Sequence, residues 1–291
     1  MRPFVSSLLA LCIAASPAYP WWETGHEVVA RIAVTELTPA ARTRIAHILN
    51  MPASTEALSN ALAQASTWAD ETKSETRTGE WHFIDLTLQD TRSDLPKRCP
   101  DANCAPARIA IFEKILASHG ARISRWNDLD SLRYLVHFVG DIHQPLHAIS
   151  DADLGGNCER LDPPIDNARN LHALWDGGII NQMNPNDRSL AADIEAHEIA
   201  GMTAADRAEI LRGNQDDWVW ESHLLAERVV YRRLHIPMEP PIFPQSCQVA
   251  PSDIVNFHPV INGMYLNDMK QIIRMQLAKA GLRLAKLLNE S

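Results

Sequence analysis

The sequence lacks an excess of basic residues. Its 291 residues include 27 Lys and Arg against 36 Asp and Glu, which gives a formal net charge of −9. This charge argues against a protein that holds nucleic acid through a broad basic surface. It leaves open an enzyme in which bound divalent metal ions contact phosphate, because such ions supply positive charge locally.

Long apolar runs are also lacking. The apolar stretch from Phe4 to Ala15 is shorter than the roughly 20 residues of a bilayer span, and no later segment qualifies. With Arg2 before it and small residues and prolines after it, this stretch is typical of an export signal. We therefore expect a signal peptide at residues 1–20 and a soluble mature domain at 21–291, either secreted or periplasmic.

The cysteines lack the short paired spacing of a cysteine zinc site. Outside the signal, Cys99, Cys104, Cys158 and Cys247 remain. An even number in an exported chain indicates two disulfides. Of the three possible pairings we favour Cys99–Cys104, a short local loop, together with Cys158–Cys247. The alternative is that some of these cysteines are free buried thiols.

Most of the remaining chain has the apolar periodicity of helices, and 46% of all residues are apolar, enough for a sizeable core. The pattern predicts helices at 26–37, 38–49, 106–119, 129–143, 218–234 and 264–289. Only 81–88 alternates like a short strand. The Pro- and Gly-rich segments 150–167 and 236–253 are predicted loops on one body, with no repeats or low-complexity tracts. The predicted fold is all-α, a single domain with a short strand or hairpin.

Histidine and aspartate recur at helical spacing within apolar segments. His137 and Asp141 are four residues apart, as are His172 and Asp176. Residues at this spacing share one helical face, so both side chains can reach one ion. Imidazole nitrogen and carboxylate oxygen are ligands that zinc takes. With His147 nearby, and with further candidate ligands outside the predicted helices at Asp70 and His82, the pattern favours a metal site.

The start of the mature chain adds a further candidate. If cleavage exposes Trp21, its free α-amine and carbonyl oxygen can chelate a metal that His26 also reaches. Across most of the mature chain, the sequence resembles the zinc-dependent single-strand-specific nucleases of the S1/P1 type. The matched segments are WxxxGH at 21–26, WAD at 68–70, WHFID at 81–85, HFxGDxxQPLH at 137–147, GGN at 155–157 and NLHxxWD at 170–176.

The resemblance implies a mainly helical fold of the phospholipase C/nuclease type with three zinc ions per chain. The implied ligands are Asp70, His82, His137 and Asp141 for one zinc; Trp21, His26 and a shared Asp141 for a second; and His147, His172 and Asp176 for the third. Two close ions would activate water for attack on phosphorus, and the third would neutralise the departing 3′-oxygen.

The resemblance also implies catalytic and substrate-binding residues. Asp70 would orient the attacking water or accept its proton, and Lys73 would stabilise charge in the transition state. Phe83 and Leu154 would enclose a nucleobase, while Asp85 and Asn157 would bind its edge. The competing interpretation is that Phe83 belongs to a buried strand in the core.

The implied function is an exported endonuclease that hydrolyses single-stranded DNA and RNA to 5′-phosphorylated products and also acts on 3′-nucleotides; we expect a monomer. Two alternatives remain open. One is a zinc-dependent phospholipase C, which shares the cluster and the helical architecture. The other is a non-catalytic protein that keeps zinc as a folding element.

Two positions compete as the site of signal cleavage. The amine ligand requires that the mature chain begin at Trp21. That cut would follow Pro20, whereas a cut after Ala18 is more ordinary and would leave Tyr19 and Pro20 attached. We expect the active protein to begin at Trp21, cut there directly or trimmed afterwards.

Overall fold

The computed structural model describes residues 21, 23–119, 124–238 and 242–291. The predicted signal peptide at 1–20 lies outside them. The α-helices are α1 (Glu23–Thr35), α2 (Pro39–Leu49), α3 (Thr55–Thr76), α4 (Ala105–Ala117), α5 (Asp128–Asp141), α6 (Leu171–Ala173), α7 (Ile179–Met183), α8 (Asp187–Ile194), α9 (Ala204–Ile210), α10 (Gln215–Ala226), α11 (Arg232–Leu234), α12 (Ser252–Val255) and α13 (Gly263–Glu290). π-helical turns span Leu174–Gly178, Glu195–Ile199 and Glu227–Tyr231. Short 3-10 turns span Gly79–His82, Arg92–Asp94, Pro100–Ala102, Pro145–Ala148 and Cys247–Val249.

The prediction of an all-α fold is confirmed, because the described strands are only the hairpin β1 (Arg160–Ile165) and β2 (Ala168–Asn170). The six predicted helices are present within a few residues. Helix α2 begins as predicted, with the Thr38 side chain accepting a hydrogen bond from the Ala41 amide and Pro39 in the first helical position.

Helix α1 lies at the centre of the molecule. It contacts α3, α5, α8 and α13, and its apolar residues from Val28 to Val34 are almost all fully buried. Helix α5 packs on α3 and α4 and is buried along nearly its whole second half. The first turn of α1 and the last turn of α5 therefore lie against each other. Polar side chains at this place are shielded from water.

The predicted strand at 81–88 is wrong. Residues 79–82 form a 3-10 turn, and the extended residues after it bond to loops and not to a neighbouring strand. The Ile84 amide donates to the His147 carbonyl at 2.9 Å, and the Leu86 carbonyl accepts from Ser150 at 2.8 Å. Alternating burial arises here from a chain segment held between loops.

The predicted loop at 150–167 contains the first strand and the turn of the hairpin, and the second strand follows directly after it. Its turn residues Asp166 and Asn167 both have positive φ, 46° and 66°, the conformation that suits a two-residue hairpin. Asp70, expected outside the helices, lies within α3. Helices α3 and α7 to α9 were not among the predicted segments.

Both favoured disulfides, Cys99–Cys104 and Cys158–Cys247, are present. The second links the loop before the hairpin to the segment before α12. Among the helices that the structure describes, none combines the length and apolarity needed to cross a membrane.

Candidate metal centre and adjoining cavity

The predicted histidine and aspartate ligands converge from seven elements of the chain. They lie on α1 (His26), α3 (Asp70), the 3-10 turns (His82 and His147), α5 (His137 and Asp141), α6 (His172) and the π turn that follows it (Asp176). Their ligand atoms form three groups, each within 4.8 Å: His26, His137 and Asp141; Asp70, His82 and His137; and His147, His172 and Asp176. All eight side chains are buried.

Asp141 belongs to the first group and also approaches the second, and His137 is a member of both. Its Oδ2 is 3.1 Å from His82 Nδ1 and 3.3 Å from His137 Nε2, and its Oδ1 is 3.5 Å from His26 Nε2. The spacing of His137 and Asp141 therefore brings both onto one face of α5, as predicted. A carboxylate in this position can serve two ions with its two oxygens.

Backbone carbonyls fix the orientation of three imidazoles. Nδ1 of His137 lies 2.6 Å from the Ser66 carbonyl oxygen, Nδ1 of His147 lies 2.9 Å from that of His82, and Nδ1 of His172 lies 2.7 Å from that of Gly155. A carbonyl only accepts, so we assign the proton of each ring to Nδ1. The Nε2 lone pairs of all three then face the carboxylates, the arrangement found for metal-bound histidine.

Several atoms in these groups lack hydrogen bonds. Both carboxylate oxygens of Asp141, Nε2 of His147 and Oδ2 of Asp176 are buried without a hydrogen-bond partner among the described residues. Buried polar atoms are ordinarily satisfied, because leaving them bare costs free energy. A cation bound between them would satisfy them, and this nitrogen and oxygen donor set fits zinc.

In the first two groups, the pKa values of the histidines are shifted in different directions. Burial opposes charging of His137, but Asp141 and Asp70 outweigh it and raise its pKa to about 9. Burial likewise opposes ionisation of Asp141, yet His137 and His82 hold the pKa of its carboxyl well below the usual range. By contrast, burial and then His137 lower the pKa of His26 well below its ordinary value. The site therefore holds a stable carboxylate beside one imidazole, that of His137, which favours a bound proton, and another, that of His26, which stays neutral. At His137 a bound metal cation would take the place of that proton.

Two glycines permit close contacts around the first turn of α1: Gly140 lets α5 approach His26, and Gly25 makes room for Trp21. A Cβ added to Gly140 would lie 2.7 Å from His26 Nδ1, and one added to Gly25 would lie 3.0 Å from Cβ of Trp21. The Trp21 indole is fully buried and donates from Nε1 to the Gly140 carbonyl at 2.8 Å. Trp21 is thus anchored at the residue before Asp141.

The remaining predicted residues line one cavity of about 320 Å³ beside the ligands. Its walls include Lys73, Phe83, Asp85, Leu154 and Asn157, together with the ligands His82, His147 and His172. Phe83 is half-buried and lines the cavity, so it does not lie in the core as the competing interpretation had it. Lys73 Nζ lies 3.0 Å from Asp70 Oδ1. Burial, and then the nearby Asp153 and Glu80, raise the pKa of Asp85 to about 7.

The GGN segment shapes the floor of this cavity. Leu154, Gly155 and Gly156 have consecutive positive φ values of 57°, 61° and 81°. A Cβ on Gly155 would lie 2.5 Å from the Leu146 carbonyl oxygen. Glycine is therefore required for the backbone to bring the Gly155 carbonyl to His172.

Sequence reasoning missed several orienting groups. Gln144 donates from Nε2 to Asp176 Oδ1 at 2.6 Å, and Ser66 and Gly155 contribute only backbone carbonyls. Of these, only Gln144 had a signal in the sequence, as the Q of the HFxGDxxQPLH segment. His172 and Asp176 lie 3.2 Å apart across a change from α-helix to π-helix, a local distortion that is frequent at functional sites.

Comparison with known proteins agrees with this geometry. The family profile described as S1/P1 Nuclease matches residues 21–291. The chain is 26% identical to Endonuclease 3 of Arabidopsis thaliana over 99% of its length and 95% of that protein. It is also 26% identical to Nuclease P1 of Penicillium citrinum over 93% of its length and 97% of that protein. With Nuclease S1 of Aspergillus oryzae the identity is 33%, over 60% of this chain and 59% of the relative. The chain therefore belongs to the S1/P1 nuclease family.

Proposed function

We propose that this protein is a zinc-dependent phosphodiesterase that hydrolyses single-stranded DNA and RNA to 5′-phosphorylated products and also acts on 3′-nucleotides. The observation that carries the proposal is the position of the cavity. An aromatic side chain and a lysine line the same space as ligands from two of the three His/Asp groups. Family membership supports nuclease activity, and the geometry supports its dependence on metal.

Three zinc ions fit the donors available. The ligands would be Asp70, His82, His137 and Asp141; His26, Asp141 and the terminal amine and carbonyl of Trp21; and His147, His172 and Asp176. Bound zinc would lower the pKa of water and neutralise charge on phosphate oxygens. The unsatisfied carboxylate oxygens of Asp141 support its role as the shared ligand.

Asp70 and Lys73 would act together beside the phosphate. Asp70 can hold or accept the proton of the attacking water. Lys73, one helical turn further along α3, presents its ammonium 3.0 Å from that carboxylate and lines the cavity. Its positive charge would stabilise the charge that develops on phosphate, as a point charge and not as a bidentate clamp.

Phe83 and Leu154 would hold an unstacked base, with Asp85 and Asn157 at its edge. Base stacking on an aromatic ring contributes about 1–3 kcal/mol and tolerates any sequence. A base paired in a duplex cannot enter such a cavity without leaving its stack, which costs a few kcal/mol. This difference accounts for the proposed preference for single strands.

We also propose that the protein is exported. The two disulfides fit an oxidising compartment, and the amine ligand at Trp21 requires that the preceding residues be removed.

The test is to incubate the purified mature chain with single-stranded DNA, RNA, duplex DNA and phosphatidylcholine vesicles, with and without chelator. We expect rapid hydrolysis of both single-stranded substrates, slow hydrolysis of the duplex, none of the lipid, and no activity after chelation. Release of phosphocholine without nucleic acid cleavage would establish the phospholipase alternative. Lys73→Met should keep the metal and lose hydrolysis, whereas a non-catalytic zinc protein would show no hydrolysis in either form.

A further inference from the structure

A second cavity of about 290 Å³ adjoins the first. Phe83, Asp85 and Leu154 line both cavities, so the two share one wall. None of the predicted metal ligands lines the second cavity. It therefore lies on the side of Phe83 and Leu154 that is away from the candidate metal ligands.

An aromatic side chain and a guanidinium form its far wall. The Arg98 guanidinium lies over the ring of Phe243, 4.7 Å from the ring centroid. Two hydrogen bonds from Arg98 to the Asp90 carboxylate, 2.8 and 2.9 Å long, hold the guanidinium in place. Phe243 is 37% exposed, so part of its ring remains accessible to a ligand. A planar ligand would find a preformed platform here.

The inner wall offers hydrogen-bonding groups. The Ser150 side chain is 1% exposed, and its hydroxyl has no hydrogen-bond partner among the described residues. Ser150 lines this cavity, as do Glu80 and Asn103. Asn103 is fixed by the Trp81 indole, which donates to its Oδ1 at 2.7 Å. An unsatisfied hydroxyl beside fixed polar groups suits the amino and carbonyl edge of a nucleobase.

We propose that this second cavity is a subsite for the base of the neighbouring nucleotide in the substrate strand. The inference rests on the proposed function and names its substrate class: a strand of two or more nucleotides is held by both cavities, whereas a 3′-mononucleotide fills only the first. Arg98, Phe243 and Ser150 then discriminate between oligonucleotide and mononucleotide substrates. None of them is required for the reaction itself.

The test compares Phe243→Ala with the wild type on 3′-adenosine monophosphate and on a single-stranded tetranucleotide. Loss of one stacking platform should lower kcat/KM for the tetranucleotide by about 5- to 150-fold, with kcat/KM for the mononucleotide unchanged. Leu224→Ala, exposed to a similar degree on α10, is the matched control and should change neither rate. Phe83→Ala should lower both rates, because Phe83 lines both cavities.

The outcomes separate this inference from the proposed function. If the wild type hydrolyses neither substrate, the proposed function fails and the subsite fails with it. If the wild type cleaves both, and Phe243→Ala either leaves the tetranucleotide rate unchanged or lowers both rates equally, only the subsite is overturned. Ser150→Ala gives an independent measurement, since it removes a hydroxyl that has no partner within the described fold. This variant should lower kcat/KM for the tetranucleotide and leave kcat/KM for the mononucleotide unchanged.

Discussion

At the scale of single residues, the centre depends on how each ligand is held by a neighbour. The rings of His137, His147 and His172 are each directed by one backbone carbonyl. These contacts come from Ser66, His82 and Gly155, which belong to three different segments. The ligand residue types were predictable from spacing and family resemblance. Their orienting partners were not, because a carbonyl carries no side-chain signal in the sequence.

Asp141 should be the most damaging single ligand to change. Asp141→Asn removes the carboxylate that approaches His26, His82 and His137. Loss of a supporting residue around a metal typically costs 10- to 100-fold, so a ligand shared by two ions should cost more than about 100-fold in activity. Metal analysis should show fewer ions per chain. The exposed Asp166→Asn is the control, and near-normal metal content in Asp141→Asn would show that the carboxylate is not shared.

The buried Glu159 leads to a separate prediction about the pH dependence of stability. Its carboxylate is fully buried with no hydrogen-bond partner among the described residues. Burial, with a smaller contribution from Asp153, raises its pKa to about 9, whereas an unfolded glutamate titrates near about 4.3. Between these two pH values the folded state therefore binds more protons than the unfolded state. The stability that this proton provides is complete below the lower value and is lost as the pH rises to the upper one.

Glu159→Gln removes this titration. We expect thermal unfolding of the variant to depend less on pH between about 5 and 9 than that of the wild type. Glu209→Gln, on an exposed side chain, should keep the wild-type dependence. Equal pH slopes for Glu159→Gln and the wild type would show that Glu159 is ionised in the fold.

At the scale of elements, the sequence predicted helices better than extended segments. Helices α5 and α13 have long apolar periodicities that match their observed spans. The segment after His82 alternates like a strand, but it is held by the loop at His147 and Ser150. Its conformation depends on residues more than sixty positions away, and local pattern does not report such contacts. The hairpin turn at Asp166 and Asn167 was a local signal that was missed.

The closeness of α1 and α5 can be tested through Gly140. In an ordinary helix interior, replacing glycine by alanine stabilises by about 0.5–1 kcal/mol. In α5 the added Cβ would lie 2.7 Å from His26 Nδ1, so Gly140→Ala should displace His26 and weaken one metal site. Gly263→Ala, where a Cβ meets nothing within 4 Å, is the matched helical control. Unchanged metal content in Gly140→Ala would mean that His26 is not a ligand.

At the scale of the whole molecule, the candidate ligands join segments from residue 21 to residue 176. Bound metal would therefore stabilise the fold as well as supply chemistry, because ions that bind only the folded chain shift the unfolding equilibrium. The N-terminus participates through Trp21, which is buried against Gly140. Under the proposed function, removal of residues 1–20 would also free the Trp21 amine that completes one metal site.

A chain that retains residues before Trp21 should be defective. Extension by Tyr19 and Pro20, or by a tag, converts the Trp21 amine into an amide and removes a ligand. We expect such a chain to contain one metal ion fewer and to lose most of its activity. Mass spectrometry of the N-terminus combined with metal analysis decides the point, and full activity from a chain shown to begin at Tyr19 would refute the amine ligand.

Under the proposed function, hydrolysis depends on three zinc ions that the three His/Asp groups would hold. The most direct measurement is the zinc content per chain of the mature, active enzyme, taken during a stepwise titration with chelator alongside activity on single-stranded DNA. We predict close to three zinc ions per chain and activity that disappears as they are removed. Full activity from a chain that contains one zinc ion or none would contradict the account.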